Sequence, residues 1–278
     1  MHPTLQSKVA IVTGAGRGIG RAVALKLASA GAAVVVNDLD ETPANEVAAE
    51  IEHAGGRALA VAGNVAAPDF GTRIVAATLD GFGAIDIIVN NAGYTWDNVI
   101  QKMTDEQFEA ILACHLTAPF RLLRAAQPYF RNVSSSEQEQ GREVFRKVVN
   151  VSSVSGTGGN AGQANYSAAK AGVIGLTKAM AKEWGRMKVN VNCVAFGAIE
   201  TRLTQRVPQG ESAFVSIEGH DIRVGVPAER AALAGREIPL GRLGTPEEAA
   251  GAIYLFCLPE SDYISGQTVI CGGGRGGF

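Results

Sequence analysis

Short apolar runs alternate along the chain with longer segments in which apolar residues recur at helical spacing. The runs predict seven strands, at residues 9–13, 33–37, 58–63, 85–90, 147–152, 189–194 and 267–270. The helical spacing predicts helices at residues 21–31, 43–54, 68–82, 105–130, 165–186 and 246–258. Because the runs are continuously apolar, as in parallel strands covered on both faces, we predict an α/β fold with one doubly wound, seven-stranded parallel sheet. A single domain then spans residues 1–278.

Two segments interrupt the alternation. Residues 131–145, RNVSSSEQEQGREVF, are mostly polar and predict a solvated loop between a helix and the next strand. Residues 203–240 mix Gly and Pro with apolar side chains, at Phe214, Val215, Ile217, Ile222, Val224 and Val226. A long connection of this kind is usually functional or disordered, and we expect this one to pack as a substrate lid or a small helical pair.

Composition narrows the classes of partner. The net charge is −2 with 19% charged residues, so no excess of Lys and Arg indicates a nucleic acid or an anionic membrane as partner. Cys114, Cys193, Cys257 and Cys271 lie far apart, without the spacing of a metal site, and predict reduced thiols and no metal. The N-terminal residues do not have the pattern of a signal peptide. The sequence contains no apolar run long enough to span a bilayer. We therefore expect a cytoplasmic protein with small-molecule partners.

A glycine-rich turn, TGAGRGIG at residues 13–20, follows the first predicted strand and opens a helix. Glycine allows the backbone to turn tightly beside a pyrophosphate, whose negative charge the helix N-terminus stabilises. The spacing is GxxxGxG, since Ile19 occupies the place of the last glycine of GxGxxG. This context predicts a Rossmann-type dinucleotide site around Gly14, Gly16, Arg17, Gly18, Ile19 and Gly20.

The end of the second predicted strand indicates which dinucleotide binds. Asp38, followed by Leu39, stands where a carboxylate accepts hydrogen bonds from the adenosine ribose hydroxyls and repels a 2′-phosphate. Asp38 therefore favours NAD. The alternative is that Asp38 caps the next helix, although Asp40 and Thr42 are better placed for that. Arg17 in the glycine loop points the other way, because a guanidinium suits a 2′-phosphate, and NADP remains possible.

Tyr166 and Lys170 lie four residues apart and share one face of a predicted helix. An unperturbed tyrosine has a pKa of about 10, and a nearby cation such as Lys170 or a positively charged nicotinamide lowers it. With a lowered pKa, Tyr166 acts as a general acid or base. Taken alone, this spacing is also that of an ordinary solvated helix face.

Ser153 lies just beyond the fifth predicted strand, at the edge where ligands of open α/β sheets bind. Its hydroxyl is placed to hydrogen-bond a substrate oxygen. For Ser152 and Ser155 we expect a structural role, since serines in such turns often only satisfy backbone groups.

These elements together resemble the short-chain dehydrogenase/reductase family. TGxxxGxG, NNAG at 90–93, Ser153, YxxxK and IET at 199–201 occur in the family's order over nearly the whole chain. GNAGQANYSAAKAG at 159–172 is similar to 3-oxoacyl-acyl-carrier-protein reductases and to the dehydrogenase domain of peroxisomal multifunctional β-oxidation enzymes. VVVNDL at 34–39 resembles the second group.

The resemblance implies roles for individual residues. Ser153 would orient the substrate oxygen, Tyr166 would transfer its proton, and Lys170 would hold the nicotinamide ribose and lower the tyrosine pKa. Hydride would pass between the substrate carbinol carbon and nicotinamide C4. Further cofactor contacts would come from Asn64, Val65, Asn91, Ala92, Gly93, Gly197, Ile199 and Thr201.

The chain departs from the family pattern at three positions. His115 stands where many members carry an Asn that holds a proton-relay water, so His115 is either a relay residue or a helix-packing side chain. Phe196 precedes Gly197 where Pro is common, and Asn64 replaces an Asp, although an amide still pairs with adenine.

The function predicted is NAD(H)-dependent interconversion of a secondary alcohol and a ketone, with a 3-oxoacyl or 3-hydroxyacyl thioester of acyl carrier protein or CoA as substrate. Sugar, steroid or xenobiotic alcohols are alternative substrates, and a cofactor-binding regulatory protein without turnover is an alternative function. The long helices at 105–130 and 165–186 resemble those that join the family's subunits, and so imply a homotetramer.

Overall fold

A parallel sheet of seven strands forms the centre of the computed structural model, which describes residues 4–202, 204, 206–207, 213–217, 219–227 and 237–275. The strands in chain order are β1 (Val9–Val12), β2 (Ala33–Val36), β3 (Arg57–Ala60), β4 (Ile87–Asn90), β5 (Arg146–Ser153), β6 (Val189–Phe196), β7 (Arg206–Val207), β8 (Ala213–Ile217), β9 (His220–Val224), β10 (Val226–Pro227) and β11 (Thr268–Cys271). The central order is β11-β6-β5-β4-β1-β2-β3, all parallel. The strand order reverses between β1 and β4, where open α/β sheets bind ligands.

Helices cover both faces of the sheet. They are α1 (Gly18–Ser29), α2 (Glu41–His53), α3 (Phe70–Phe82), α4 (Asp105–Leu112), α5 (Ala118–Glu139), α6 (Val154–Gly158), α7 (Ala164–Trp184) and α8 (Pro246–Leu255). Alternate residues of each strand point to opposite faces. In β1, Ala10 and Val12 pack with α1, α2 and α8, whereas Ile11 packs with α3, α5 and α7. The predicted α/β fold with a doubly wound, seven-stranded sheet is confirmed.

The predicted loop at 131–145 is wrong over most of its length, because α5 continues to Glu139. Polar side chains alone suggested solvent exposure, but the last turns of α5 lie against the sheet. Glu137 there forms two hydrogen bonds to Arg146, the first residue of β5, at 2.9 and 2.7 Å. The predicted helix at 105–130 is also interrupted, by a π-helical turn at Ala113–Thr117.

The described part of 203–240 contains short strands, and the helical pair that we considered stays untested because much of the segment lies outside the described residues. Strands β8 and β9 form an antiparallel hairpin, and β7 pairs with β10 in parallel. Residues 203, 205, 208–212, 218 and 228–236 lie outside the described residues. The lid function of this segment, and the single-domain organisation, stay predictions.

None of the helices in the described part of the chain combines the length and apolar character needed to cross a bilayer. The described residues likewise include no group of three or more His, Cys, Asp and Glu side chains arranged to hold a metal ion.

Candidate active site

A cleft of about 800 Å³ runs along the carboxyl ends of the central strands. Every predicted site residue except Gly16 lines it: Gly14, Arg17, Gly18, Ile19, Gly20, Asp38, Leu39, Asn64, Val65, Asn91, Ala92, Gly93, His115, Ser153, Tyr166, Lys170, Gly197, Ile199 and Thr201. Residues scattered over most of the sequence therefore meet in one place. Gly16 lies behind this wall and donates its N–H to Oδ2 of Asp38, 3.0 Å away.

The glycine loop packs too tightly for side chains. Gly14 has φ +62°, and a Cβ there would lie 2.7 Å from the Cα of Ala92. A Cβ on Gly20 would lie 2.0 Å from the carbonyl oxygen of Gly14. The loop leads directly into α1, whose N-cap residue Arg17 makes no capping side-chain bond in the described structure. The first N–H groups of α1 and the bare backbone before them thus fit an anionic pyrophosphate.

Thr13 and Asn91 hold this loop against the end of β4. The Asn91 amide nitrogen Nδ2 donates to the carbonyl oxygens of Thr13, at 2.9 Å, and Gly14, at 3.1 Å. In return, the Thr13 hydroxyl accepts from the backbone N–H groups of Asn91 and Ala92, at 3.0 and 3.1 Å. The Asn91 side chain therefore supports the loop. The sequence analysis did not assign a role to Thr13, although its place before the first glycine was the available signal.

Asp38 is 7% exposed and makes three polar contacts in the cleft wall. Besides the bond from Gly16, its Oδ1 accepts from Arg17 Nη1 at 3.2 Å and from the backbone N–H of Asp40 at 3.3 Å. The N-cap of α2 is Asp40, so Asp38 is not the capping residue. Arg17 also contacts Asp40 Oδ2 at 3.0 Å. Two carboxylates therefore face the guanidinium that the sequence left as a possible phosphate ligand.

Ser153, Tyr166 and Lys170 come together from β5 and α7. Ser153 caps α6, with its Oγ accepting from the backbone N–H of Ser155 at 3.1 Å. The same side chain hydrogen-bonds Tyr166. One turn further along α7, Lys170 Nζ lies 5.6 Å from the centroid of the Tyr166 ring. The cleft thus holds a phenol, a hydroxyl and an ammonium in contact.

Burial dominates the protonation of this group. It raises the pKa of Tyr166 to about 12, and the hydrogen bond from Ser153 offsets only part of that rise. Burial also lowers the pKa of Lys170 to about 8. Lys170 Nζ donates to the carbonyl oxygen of Val151 at 2.6 Å. In this structure the pKa of Tyr166 is raised, because burial disfavours the phenolate. Its lowering by Lys170 together with a bound, positively charged nicotinamide stays a prediction.

His115 lies on the π-helical turn, a feature that often marks functional sites. Its ring is 3% exposed and stands perpendicular to that of Tyr166, with the centroids 5.0 Å apart. Nε2 lies 2.7 Å from the carbonyl oxygen of Tyr94 and 3.3 Å from its backbone nitrogen, and we assign the ring proton to Nε2 from the shorter of the two contacts. Burial, and then the charge of Lys170, hold the pKa of His115 well below its usual value, so the ring is neutral.

The other ring nitrogen of His115, Nδ1, is buried without a hydrogen-bond partner in the described part of the chain. A neutral ring protonated on Nε2 offers Nδ1 as an acceptor. The ring also packs on Gly93, where a Cβ would lie 2.0 Å from Cε1 of His115. Both interpretations of His115, as a relay residue and as a packing side chain, remain consistent with this geometry.

Asn165, which the sequence analysis did not single out, fixes the start of α7. It is fully buried, and its Nδ2 donates to the carbonyl oxygens of Trp96 and Gln107, both at 3.0 Å. Its Oδ1 accepts from the backbone N–H of Tyr166 at 2.8 Å. The signal available in the sequence was an asparagine, Asn165, directly before Tyr166.

Polar side chains also line the outer cleft, among them Asp97 and Gln163. Gln163 Nε2 donates to Asp97 Oδ2 at 2.7 Å, and Gln163 Oε1 accepts from the Ser155 hydroxyl at 3.0 Å. Ser152 satisfies a backbone group, donating to the carbonyl oxygen of Lys170 at 2.8 Å. Ser152 and Ser155 thus serve as structural serines, and Ser153 is the one that contacts Tyr166.

Known proteins with similar sequences are dehydrogenases and reductases. The family model described as short chain dehydrogenase matches residues 8–212. A 3-oxoacyl-(acyl-carrier-protein) reductase of Vibrio cholerae is 41% identical over 97% of this chain and 98% of its own length. The reductase of that name from Synechocystis is 42% identical over 97% of each chain. The one from Escherichia coli K12 is 36% identical over 97% of each chain.

The matched region contains the glycine loop and the segment with Ser153, Tyr166 and Lys170, which the fold brings into one cleft. The chain belongs to the short chain dehydrogenase family, and is an oxidoreductase that interconverts an alcohol and a carbonyl with a nicotinamide cofactor.

Proposed function

We propose that this protein reduces a 3-oxoacyl thioester to the 3-hydroxyacyl thioester with NADH. The observation that carries the proposal is the contact of Ser153, Tyr166 and Lys170 in one cleft, beside the glycine loop and Asp38. The relatives reported above are named as reductases of 3-oxoacyl groups on acyl carrier protein, which supports the substrate class.

The residues of the cleft fit a nicotinamide dinucleotide. The bare loop at Gly14 and Gly20 and the N-terminus of α1 would hold the pyrophosphate, and Asp38 the adenosine ribose. Asn64 and Val65 would lie by the adenine, and Ile199 and Thr201 by the carboxamide. When bound, the reduced nicotinamide supplies the hydride that the carbonyl carbon accepts.

Proton transfer falls to Tyr166. Because its pKa is raised to about 12, Tyr166 keeps its proton at neutral pH and is ready to donate to the oxygen of a carbonyl substrate. Ser153 would hydrogen-bond the same oxygen and orient it. The protonated phenol is the form that carbonyl reduction requires. Lys170, with a pKa near 8, carries its charge below that pH and would hold the nicotinamide ribose.

We further propose that His115 Nδ1 accepts a hydrogen bond from a water molecule and orients it, and that this water returns a proton from solvent to Tyr166. Its neutral ring presents Nδ1 as a buried acceptor beside the Tyr166 ring. His115→Asn keeps a polar group at this position and is expected to retain most activity, whereas His115→Leu is expected to lose about tenfold in kcat. Equal activities of the two variants would mean that His115 only packs against Gly93.

The test of the function is cofactor oxidation, followed by absorbance, with acetoacetyl thioesters of CoA and of acyl carrier protein. NADH and NADPH are compared in parallel. We expect turnover with NADH to exceed that with NADPH, because a buried carboxylate at Asp38 repels a 2′-phosphate. If neither cofactor is consumed while either one binds by calorimetry, the thioester assignment is wrong.

Asp38→Asn tests the origin of this preference in the same assay. The amide keeps an acceptor for the Gly16 N–H but removes the charge, and it weakens the hold on Arg17. We expect the KM for NADH to rise about tenfold and that for NADPH to fall, since a charged hydrogen bond contributes about 1.5–3 kcal/mol. Asp40→Asn, which changes an exposed carboxylate beside the same Arg17, is the control and should leave the NADH preference intact. An unchanged preference in Asp38→Asn would remove Asp38 as its source.

We also propose a homotetramer. Phe108 on α4 and Phe120 on α5 are 37% and 44% exposed, and Val269 and Ile270 on the edge strand β11 are 46% and 38% exposed. Exposed apolar side chains on helices and on a sheet edge suit contacts between subunits. Light scattering that gives the mass of a monomer would refute the assembly.

A further inference from the structure

The hairpin of β8 and β9 covers the outer part of the cleft. Ser216 and Ile217, at the end of β8, line the cleft together with the residues described above. Ile222 in β9 is 2% exposed, so its side chain is buried between the hairpin and the rest of the protein. The position of the hairpin therefore sets the shape of the space that remains for a substrate beyond Tyr166.

His220, the first residue of β9, makes one of the contacts between the hairpin and the rest of the protein. The imidazole packs on the indole of Trp96, with ring centroids 4.7 Å apart and planes tilted by 44°. Its Nε2 lies 3.4 Å from Oε1 of Glu106, in the first turn of α4. One side chain thus meets both an aromatic face and a carboxylate.

Trp96, the partner of His220 in this contact, is hydrogen-bonded to the segment at the start of α7. The carbonyl oxygen of Trp96 accepts from the buried Asn165, and Asn165 also accepts from the backbone N–H of Tyr166. Trp96 is therefore attached to the residue that precedes the reacting phenol. The contact between His220 and Trp96 therefore connects the hairpin to the segment that carries Tyr166.

An isolated two-stranded hairpin is only marginally stable. The contacts of this hairpin with the rest of the protein therefore decide how stably it keeps its position over the cleft. We propose that His220 is a positioning residue that latches the hairpin over the outer cleft through Trp96 and Glu106, and thereby sets the affinity for the acyl substrate. The proposal rests on the proposed reductase function for its kinetic consequence. The latch holds substrate in place and takes no part in proton or hydride transfer.

Steady-state kinetics with acetoacetyl-CoA and NADH test the consequence. His220→Ala is expected to raise the KM for the thioester about three- to fivefold, the range of a partly exposed ring contact and one polar contact, with kcat nearly unchanged. His220→Phe keeps a ring on Trp96 and is expected to recover most of the wild-type KM. Phe214→Ala changes a 59% exposed side chain of the same hairpin and serves as the control. An unchanged KM in His220→Ala, or an equal rise in Phe214→Ala, would overturn the proposal.

Fluorescence tests the latch without any substrate. The chain has two tryptophans, and Trp184 is 2% exposed, so acrylamide reaches chiefly Trp96. Loss of the covering imidazole in His220→Ala is expected to raise the acrylamide quenching constant about twofold. Phe214→Ala should leave it unchanged. If no thioester turns over but quenching rises in His220→Ala, the latch stands and the substrate assignment fails. Unchanged quenching in His220→Ala contradicts the latch itself.

Discussion

Tyr166→Phe is expected to lower kcat for thioester reduction about a thousandfold, because a positioned general acid contributes about 10²–10⁴-fold. The ring fills the same space and keeps its edge contact with His115, so the cleft should retain its shape. Only the hydroxyl, with its hydrogen bond to Ser153, is lost. Steady-state kinetics give kcat, and calorimetry should give a cofactor dissociation constant close to that of the wild type.

Tyr94→Phe is the matched control for this variant. Tyr94 lines the same cleft and contacts the His115 ring through backbone atoms, which the substitution keeps. We expect Tyr94→Phe to stay within about threefold of wild-type kcat, as for a change away from the reacting atoms. If Tyr166→Phe keeps a tenth or more of the activity, Tyr166 is not the proton donor. If it loses cofactor affinity as well, its role is in binding.

Arg146→Leu is expected to lower the free energy of unfolding by about 3–5 kcal/mol, since it leaves the partly buried carboxylate of Glu137 without its partner. The Arg146 and Glu137 side chains are 6% and 12% exposed and share two short hydrogen bonds. Arg146 holds the pKa of Glu137 below its ordinary value. Denaturant unfolding followed by circular dichroism measures the difference.

The direction of the pH effect follows from the same pair. A carboxyl whose folded pKa is lowered contributes stability above its ordinary pKa and loses that contribution as the pH falls through the folded value. The gap between wild type and Arg146→Leu should therefore narrow in acid. Replacing both partners, with Arg146→Leu and Glu137→Leu together, is expected to recover much of the loss, because no charge is then left buried.

Arg242→Leu is the control, because it removes an arginine from a similar ion pair that is exposed to solvent. Arg242 and Glu248 also share two hydrogen bonds, at 2.8 and 2.6 Å, but both side chains are about half exposed. Exposed pairs add little to stability, so the unfolding midpoint should hardly move. Equal losses in Arg146→Leu and Arg242→Leu would mean that burial of the first pair has no special effect.

The same ion pair explains where the sequence analysis failed. Residues 131–139 are polar, and no local pattern distinguishes a polar helix from a loop. Helix α5 continues there because Glu137 is buried and Arg146, at the start of β5, satisfies its carboxylate. The contact joins α5 to β5, the next strand after a turn. Local periodicity reports only on residues within one element and cannot predict such a contact.

The sequence by itself determined the sheet, the order of its elements and the identity of the cleft residues. Most strands of the central sheet contain an apolar run, and the spacing of Tyr166 and Lys170 fixes a shared helix face, because both are properties of neighbouring residues. Only the tertiary structure decided the protonation of these groups. The pKa of Tyr166 rises and that of Lys170 falls because both are removed from water, and burial depends on the whole fold. The pairing of Arg17 with Asp38 and the docking of His220 on Trp96 were likewise decided by distances that only folding sets.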